Sequence, residues 1–423
     1  MLDIRLLRED PESIKARVKA RGGDAWELID EILECDEKRR VGETEKQVLQ
    51  SDRNRISKEI GALKREGKDS SEIEGQVRGI GEKIKSISEE VDAVESRQRE
   101  LLLQVPNLPY EGCPVGEDEE SNPEIRVWGD QPKFEFEPKD HVALGESLGL
   151  FDFELGARVS GAGFVAYTGQ GAKLERALIQ FLLDLHTEQH GYREVSPPFI
   201  INRESMFGTG QLPKFEDDMY GLEDGAFFLA PTAEVPVTNL YRDQLLQQKE
   251  LPIKVTAYTP CFRREAGSAG RESRGLIRMH QFDKVELVNI VHPDESAAML
   301  ESLTVEAEAV LQKLGLHYRT IELCTGDIGF SSAKTYDIEV WAPGHGGYLE
   351  VSSCSNFMDY QARRMRLRFK DEDGKNRLCH TLNGSGTALP RLYVALIETC
   401  QQSDGTIKIP TALVPYFGAE TIG

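Results

Sequence analysis

From about residue 27 to residue 102 the chain is charged, poor in proline and helical in its period. In the second half of that stretch Ile73, Val77, Ile80, Ile84, Ile87, Val91, Val94 and Leu101 follow the four-and-three spacing of a coiled-coil seam. The first half is looser. Leu28, Cys35, Leu49, Ile56 and Leu63 hold one heptad position and Ile32 and Ile60 the other, but Arg39, Lys46 and Arg53 fall where apolar residues are expected. Between the halves lies EGKDSSE, whose Gly67 and serines can turn the chain back on itself. The pattern predicts an antiparallel helical hairpin with its tip near Gly67 to Ser71. About 35 residues per helix, at 1.5 Å each, give an arm roughly 50 Å long. Lys38, Arg39, Arg40, Lys46, Arg53, Arg55, Lys58, Lys64 and Arg65 make the first helix basic, with acids interleaved. On periodicity alone, a structural or dimerising coiled coil explains this arm better than a grip on another molecule.

The texture changes after Leu103. VPNLPYEGCPVGEDEESNPE is punctuated by Pro and Gly and ends acidic, which marks a boundary. Residues 1–104 are expected to form the arm, 105–139 a surface linker, and 140–423 a second domain. In that domain KLERALIQFLLDLHTEQHG reads as a helix with Gly191 placed to stop it. VTAYTPCFRRE, MHQFDKVELVNI, TYDIEVWAP and GYLEVSSCS read as strands. Hairpins dominate, so the expected class is α+β: a helical arm followed by a mainly antiparallel sheet flanked by helices. Neither G-x-G-x-x-G nor G-x-x-x-x-G-K-[ST] occurs, so any nucleotide is held without a Rossmann or P-loop cradle.

A length of 423 residues suggests two or three domains, and 39% hydrophobic with 29% charged residues is ordinary for a soluble protein. No apolar run approaches a membrane span, and MLDIRLLREDPES lacks a signal-peptide core. Seven scattered cysteines without a C-x-x-C pair read as reduced thiols of a cytosolic protein. They lack zinc-site clustering, although spacing leaves open a Cys-Glu-Cys set drawn from distant positions. The net charge of −21 argues against whole-surface attraction to nucleic acid, so any RNA contact needs a local basic patch.

The densest chemistry lies in FRREAGSAGRESRGLIRMHQFDKVE, Phe262 to Glu286. Arg263 and Glu265 share a face on an extended strand, and on the returning strand Arg278, His280, Phe282, Lys284 and Glu286 share another. Arginine forks match phosphate oxygens and Phe282 offers a flat surface to a base. The set suits a nucleotide triphosphate beside a small polar ligand, and a solvated sheet face is the plain alternative. LNGSGTALPRLYVALIETC reads as a strand end, a glycine-bounded turn and a helix with Arg391 near its positive end. GYLEVSSCSNF puts Glu350 beside Ser352 and Ser353, oxygen ligands suited to Mg²⁺, as an exposed strand end would also explain. Glu350 and Ser353 have opposite parity, so both reach one metal only if the strand bulges or ends there. PTAEVP holds Thr232 and Glu234, a pattern that helix capping explains equally well.

Taken together, Phe262 to Glu286 resembles motif 2 of class II aminoacyl-tRNA synthetases in the form found in seryl-tRNA synthetases. LNGSGTALPR resembles motif 3, with Arg391 in the place of the family's arginine and Pro390 where the family usually has Gly; proline is tolerated in a first helical turn. The helix before Gly191 and GYREVSPPFI, with Pro198, resemble motif 1, which in the family forms the dimer interface. The resemblance spans the arm, the boundary and all three motifs in order. It implies a bacterial-type cytosolic enzyme and a homodimer through the Pro198 region. The implied reaction makes seryl-adenylate from ATP and L-serine and then charges tRNA(Ser), and also tRNA(Sec) where that is present.

The resemblance also implies site roles. Arg263 bridges the α-phosphate and the serine carboxylate, Glu265 holds the adenine amino group with Phe282 stacked beneath, and Arg264 also binds ATP. Arg278 and Arg391 hold the β/γ end. Glu350, Val351, Ser352 and Ser353 meet ATP, with Mg²⁺ at Glu350 and Ser353. Thr232, Ala233, Glu234, Glu286, Asn383 and Ser385 line the serine pocket, and His280 is structural. The arm would hold the long variable stem of the tRNA. Two other readings stay open: an enzyme that loads a carrier protein, against which the heptads count, and an interaction protein without chemistry, against which the intact charged residues count.

Overall fold

The computed structural model describes residues 1–266 and 274–423. The chain divides into two compact units, Met1–Pro106 and Asn107–Gly423. In the first, α1 (Leu28–Arg65) and α2 (Ser71–Gln104) form the expected hairpin, turning through Gly67 at φ +68°. The apolar seam is real: Ile32, Ile56, Val91 and Leu101 are buried. Its polar positions are settled by side-chain chemistry that periodicity does not carry. Gln98 fills the step between Val94 and Leu101 and donates its amide to Ile32 O at 3.2 Å. Buried Asp36 takes Arg39 at 3.1 Å and Arg8 at 3.1 Å, so the cation at that seam position is neutralised rather than packed as a hydrophobe. Gly42 lets the helices close: a Cβ there would stand 2.6 Å from Val91 Cγ2.

The second unit is built on an eight-stranded sheet. Its strands are β1 (Glu124–Trp128), β2 (Arg193–Glu194), β3 (Ile253–Phe262), β4 (Gln281–Val291), β5 (Tyr318–Glu322), β6 (Lys334–Ala342), β7 (Gly347–Met358) and β8 (His380–Ala388). They lie in the order β1-β5-β6-β7-β8-β4-β3-β2, antiparallel throughout except for β2 against β3. Flanking it are α3 (Gly169–Glu188), α4 (Glu234–Asn239), α5 (Ser296–Leu314), α6 (Tyr360–Met365) and α7 (Leu389–Thr399). One face is covered by α3, α5 and α7, where Val285 and Leu287 of β4 pack with Leu178, Leu303 and Leu396. On the other face Val288 and Ile290 pack with Val237 of α4 and Ala362 of α6. That alternation along β4 leaves Lys284 and Glu286 on the side away from the large core, as period two requires, while Phe282 at the start of the strand keeps contact with that core.

The linker expected over 105–139 is not a free connector. From Asn107 onward it belongs to the larger unit, where the Asn107 amide donates to Ser331 O at 2.9 Å and Phe357 O at 2.8 Å, and Glu124–Trp128 is the sheet's edge strand. Prolines and glycines report breaks in regular structure, and a chain with such breaks still packs when its polar backbone finds partners. The Gly- and Arg-rich loop expected between β3 and β4 falls largely on 267–273, outside the described residues. Among the described residues, no helix is long and apolar enough to cross a membrane.

Candidate active site

A cavity of about 760 Å³ is lined by Phe282, Lys284 and Glu286 of β4, and the start of α7 reaches its rim. Strand register assembles its inner end. Glu286 on β4 stands opposite Ser385 on β8, and Val288 opposite Asn383, so Glu286, Ser385 and Asn383 meet on one surface. Thr232 and Glu234 enter from the start of α4, where the Thr232 hydroxyl accepts the Glu234 N–H at 3.2 Å. That bond closes a local turn ahead of the helix, whose N-cap is Ala233 without a side-chain cap, and Glu234 lines the cavity. Within PTAEVP the chain turns helical from Glu234 onward.

Glu286 is 1% exposed and its Oε2 lies 2.6 Å from Lys284 Nζ, itself 8% exposed. A buried ion pair of this kind fixes both groups, because neither has water to turn to. The Glu234 carboxyl is pushed up to about 7, chiefly by burial and then by Glu286. Gln361, from the first turn of α6, donates Nε2 to Glu234 Oε1 at 2.6 Å.

The outer end carries the arginines. Arg263 lies over the Phe282 ring at 5.2 Å and donates Nε to Pro231 O at 3.2 Å. His280 is structural: its carbonyl accepts the Arg263 N–H at 2.9 Å, and its ring stacks on Phe164 at 5.4 Å. It therefore leaves the face that alternation gave it, and β4 begins only at Gln281. Arg278 Nη1 and Glu265 Oε2 pair at 2.5 Å. Pro390 sits in the first turn of α7, as the missing N–H allows, and Arg391 follows it. Arg391 donates Nη1 to Glu350 O at 2.8 Å and to Glu350 Oε2 at 3.2 Å.

The parity conflict on β7 is resolved by a bulge. Ile338 pairs with Ser352 while Glu339 pairs with Glu350, leaving Val351 as the extra residue. Glu350 and Ser353 consequently both line the cavity. A carboxylate and a hydroxyl are hard oxygen donors that fit Mg²⁺. Beside them Asp337, opposite Ser353 on β6, keeps Oδ1 buried without a hydrogen-bond partner, and burial with Glu350 nearby pushes its carboxyl well above the usual range. Among the described residues no group of three or more His, Cys, Asp or Glu side chains is set to hold a metal, so a cation at Glu350 and Ser353 would need further ligands.

Four expected residues do not line the cavity. Ala233 and Val351 are fully buried, the buried Ser352 hydroxyl donates to Ser385 O at 2.6 Å, and Arg264 is exposed with its N–H on Asp218 O at 2.8 Å. Lys284, Gln361 and Asp337 were given no role by the sequence. Lys284 shares Glu286's strand face, which was a usable signal; Gln361, 127 residues from Glu234, offered none.

Residues 1–109 match the model of the seryl-tRNA synthetase N-terminal domain, and 215–400 match the class II core domain of the glycyl, histidyl, prolyl, seryl and threonyl enzymes. A serine–tRNA ligase of Akkermansia muciniphila is 66% identical, with 100% of this chain and 99% of that protein covered. The structure of a seryl-tRNA synthetase from Pyrococcus horikoshii complexed with ATP is similar at TM-score 0.94 and 38% identity, covering 100% of this chain and 99% of that one. A cytoplasmic serine–tRNA ligase from Naegleria fowleri in complex with AMP is similar at TM-score 0.89 and 28% identity, covering 100% and 98%.

Proposed function

The chain belongs to the seryl-tRNA synthetases, the serine–tRNA ligases, and we propose that its cavity performs the activation step with serine at the inner end and ATP at the outer end. The observation that carries this placement is the buried Glu234–Glu286–Lys284 group joined to a rim of arginines in one cavity. Glu234 meets the serine ammonium. Glu286, with Oε2 on Lys284, offers Oε1 to the serine hydroxyl, supported by Ser385 and Asn383. Alanine would leave that acceptor unpaired at a cost of about 1–3 kcal/mol.

No protein nucleophile is needed, because the serine carboxylate attacks the α-phosphorus, the bond from the α-phosphorus to the bridging oxygen breaks, and pyrophosphate leaves. Catalysis is positioning and charge neutralisation. Arg263 bridges carboxylate and α-phosphate, with Phe282 under the base and Glu265 on its amino group. Arg278 and Arg391 exchange their carboxylate partners for the β/γ-phosphates. Glu350 and Ser353 would hold Mg²⁺, which supplies further neutralisation of phosphate charge when bound. The terminal ribose of tRNA(Ser), and of tRNA(Sec) where present, then takes the seryl group. The arm holds the tRNA, and the protein acts in the cytoplasm as a homodimer. The exposed Ile200, two residues beyond Pro198, supports an interface on that side.

Pyrophosphate exchange screened across the amino acids tests the reading. Exchange should require Mg²⁺ and serine, with threonine and cysteine far behind; robust exchange with another amino acid and none with serine would sink it. Excising Glu37 to Glu95 with a short Gly-Ser bridge should spare exchange and abolish tRNA charging. Charging by the intact chain should also fall with salt more steeply than exchange. If the shortened chain charges normally, the arm is not the grip.

A further inference from the structure

Gln361 is 1% exposed and lies outside the cavity wall, yet both hydrogens and the oxygen of its amide are engaged. Oε1 accepts the Thr381 hydroxyl at 2.7 Å. Nε2 donates to Glu234 Oε1 at 2.6 Å and to Thr209 O at 3.1 Å. An amide nitrogen has two hydrogens, and both are used. Turned the other way, the amide oxygen would face a carboxylate and a carbonyl, three acceptors brought together at a buried position. Only one orientation is tenable, and the Thr381 hydroxyl on β8 secures it.

We propose that Gln361 is a positioning residue for serine recognition, fixing Glu234 by one oxygen so that the other is presented to the substrate ammonium. The proposal rests on the placement of serine given above. Among the described residues Glu234 Oε2 accepts no hydrogen bond, while the residue lines the cavity. The same amide holds the carbonyl of Thr209, and Thr209 to Gln211 form another stretch of the cavity wall, so one side chain sets both the carboxylate and the wall beside it. The groups facing the Glu234 carboxyl act in opposite senses. Burial and Glu286 favour its neutral form, and Gln361, Lys284 and Arg263 favour the carboxylate. Removing the Gln361 donor therefore moves Glu234 further toward the protonated form, which cannot pair with an ammonium.

Gln361→Leu, assayed by pyrophosphate exchange on the full chain, should raise the KM for serine at least about tenfold while the KM for ATP stays within about twofold. The acid limb of kcat/KM for serine should move up by about one pH unit. A merely structural role would raise both KM values together and leave the limb in place, and that result overturns the proposal. If the Leu variant does not fold, Thr381→Val decides, since it removes only the hydroxyl that orients the amide. It should raise the serine KM about threefold with the same upward shift of the limb, and an unchanged limb overturns the proposal. Glu234→Gln separates this from its premise. Wild-type serine binding in that variant sinks the placement of serine, whereas loss of serine there with wild-type behaviour in Gln361→Leu sinks only the positioning role.

Discussion

At the inner end of the cavity Glu286 and Lys284 pair at 1% and 8% exposure, whereas at the outer end Arg391 and Glu350 pair at 23% and 45%. Water reaches the outer pair and can replace either partner, so parting them for a phosphate costs little. The inner pair has no substitute, and removing one member leaves the other charge buried. The same two kinds of side chain thus serve opposite ends. On the proposed placement, discrimination is built where charges cannot rearrange, and phosphate is bound where they can.

The largest effect should come from breaking the inner pair. Glu286→Ala removes the acceptor for the serine hydroxyl and strands Lys284, so kcat/KM for serine should fall at least about 100-fold with ATP binding nearly intact. Equal losses for both substrates would erase the distinction between the ends. At the outer end Arg391→Ala should slow adenylate formation at least about tenfold, since a charge-assisted contact to phosphate contributes roughly 1.5–3 kcal/mol. Full activity would mean that the turn carrying Pro390 does not deliver Arg391 to the nucleotide.

The pH dependence should also sort by end. The Glu234 carboxyl, held up near 7 by burial and Glu286, pairs with an ammonium only above that value. As pH falls from 8 to 6.5, protonation should raise the serine KM about fourfold and leave the ATP KM flat. A parallel rise in both would place the titrating group elsewhere. The smallest change is expected for Glu265→Gln, which keeps shape and removes the charge facing Arg278. A partly exposed pair of this kind predicts about a twofold change in the KM for ATP, and a tenfold loss would show that the outer end is as rigid as the inner.

What the sequence disclosed follows the reach of its periodicities. The seam from Ile73 to Leu101, the long strands and the common face of Phe282, Lys284 and Glu286 are local patterns, and the structure repeats them. Arg391 was legible from its turn and helix. Asp36 and Gln98 were not, because a polar residue on a seam is explained only by its partner across the hairpin. Gln361 was silent for the same reason at longer range, and Asp337 sat inside TYDIEV, which reads as an ordinary strand. The packing of the segment after Leu103 is not legible from its prolines and glycines, because the partners of Asn107 and of Glu124–Trp128 lie about 200 residues away in sequence.

The extra residue at Val351 gives β7 a phase. Before it, even-numbered Glu350 looks into the cavity; after it, odd-numbered Ser353, Ser355 and Phe357 do. Length in this strand therefore behaves like a reading frame. Deleting Val351 would remove only the extra residue and leave Glu350 and Ser353 on one face, whereas deleting Cys354 would bring Ser355 and Phe357 out of step with Ser353, although no cavity-lining side chain had been touched. A second single-residue change farther along would bring the remainder back into step. Lineages that alter this strand should do so by compensated pairs of changes rather than by single insertions or deletions.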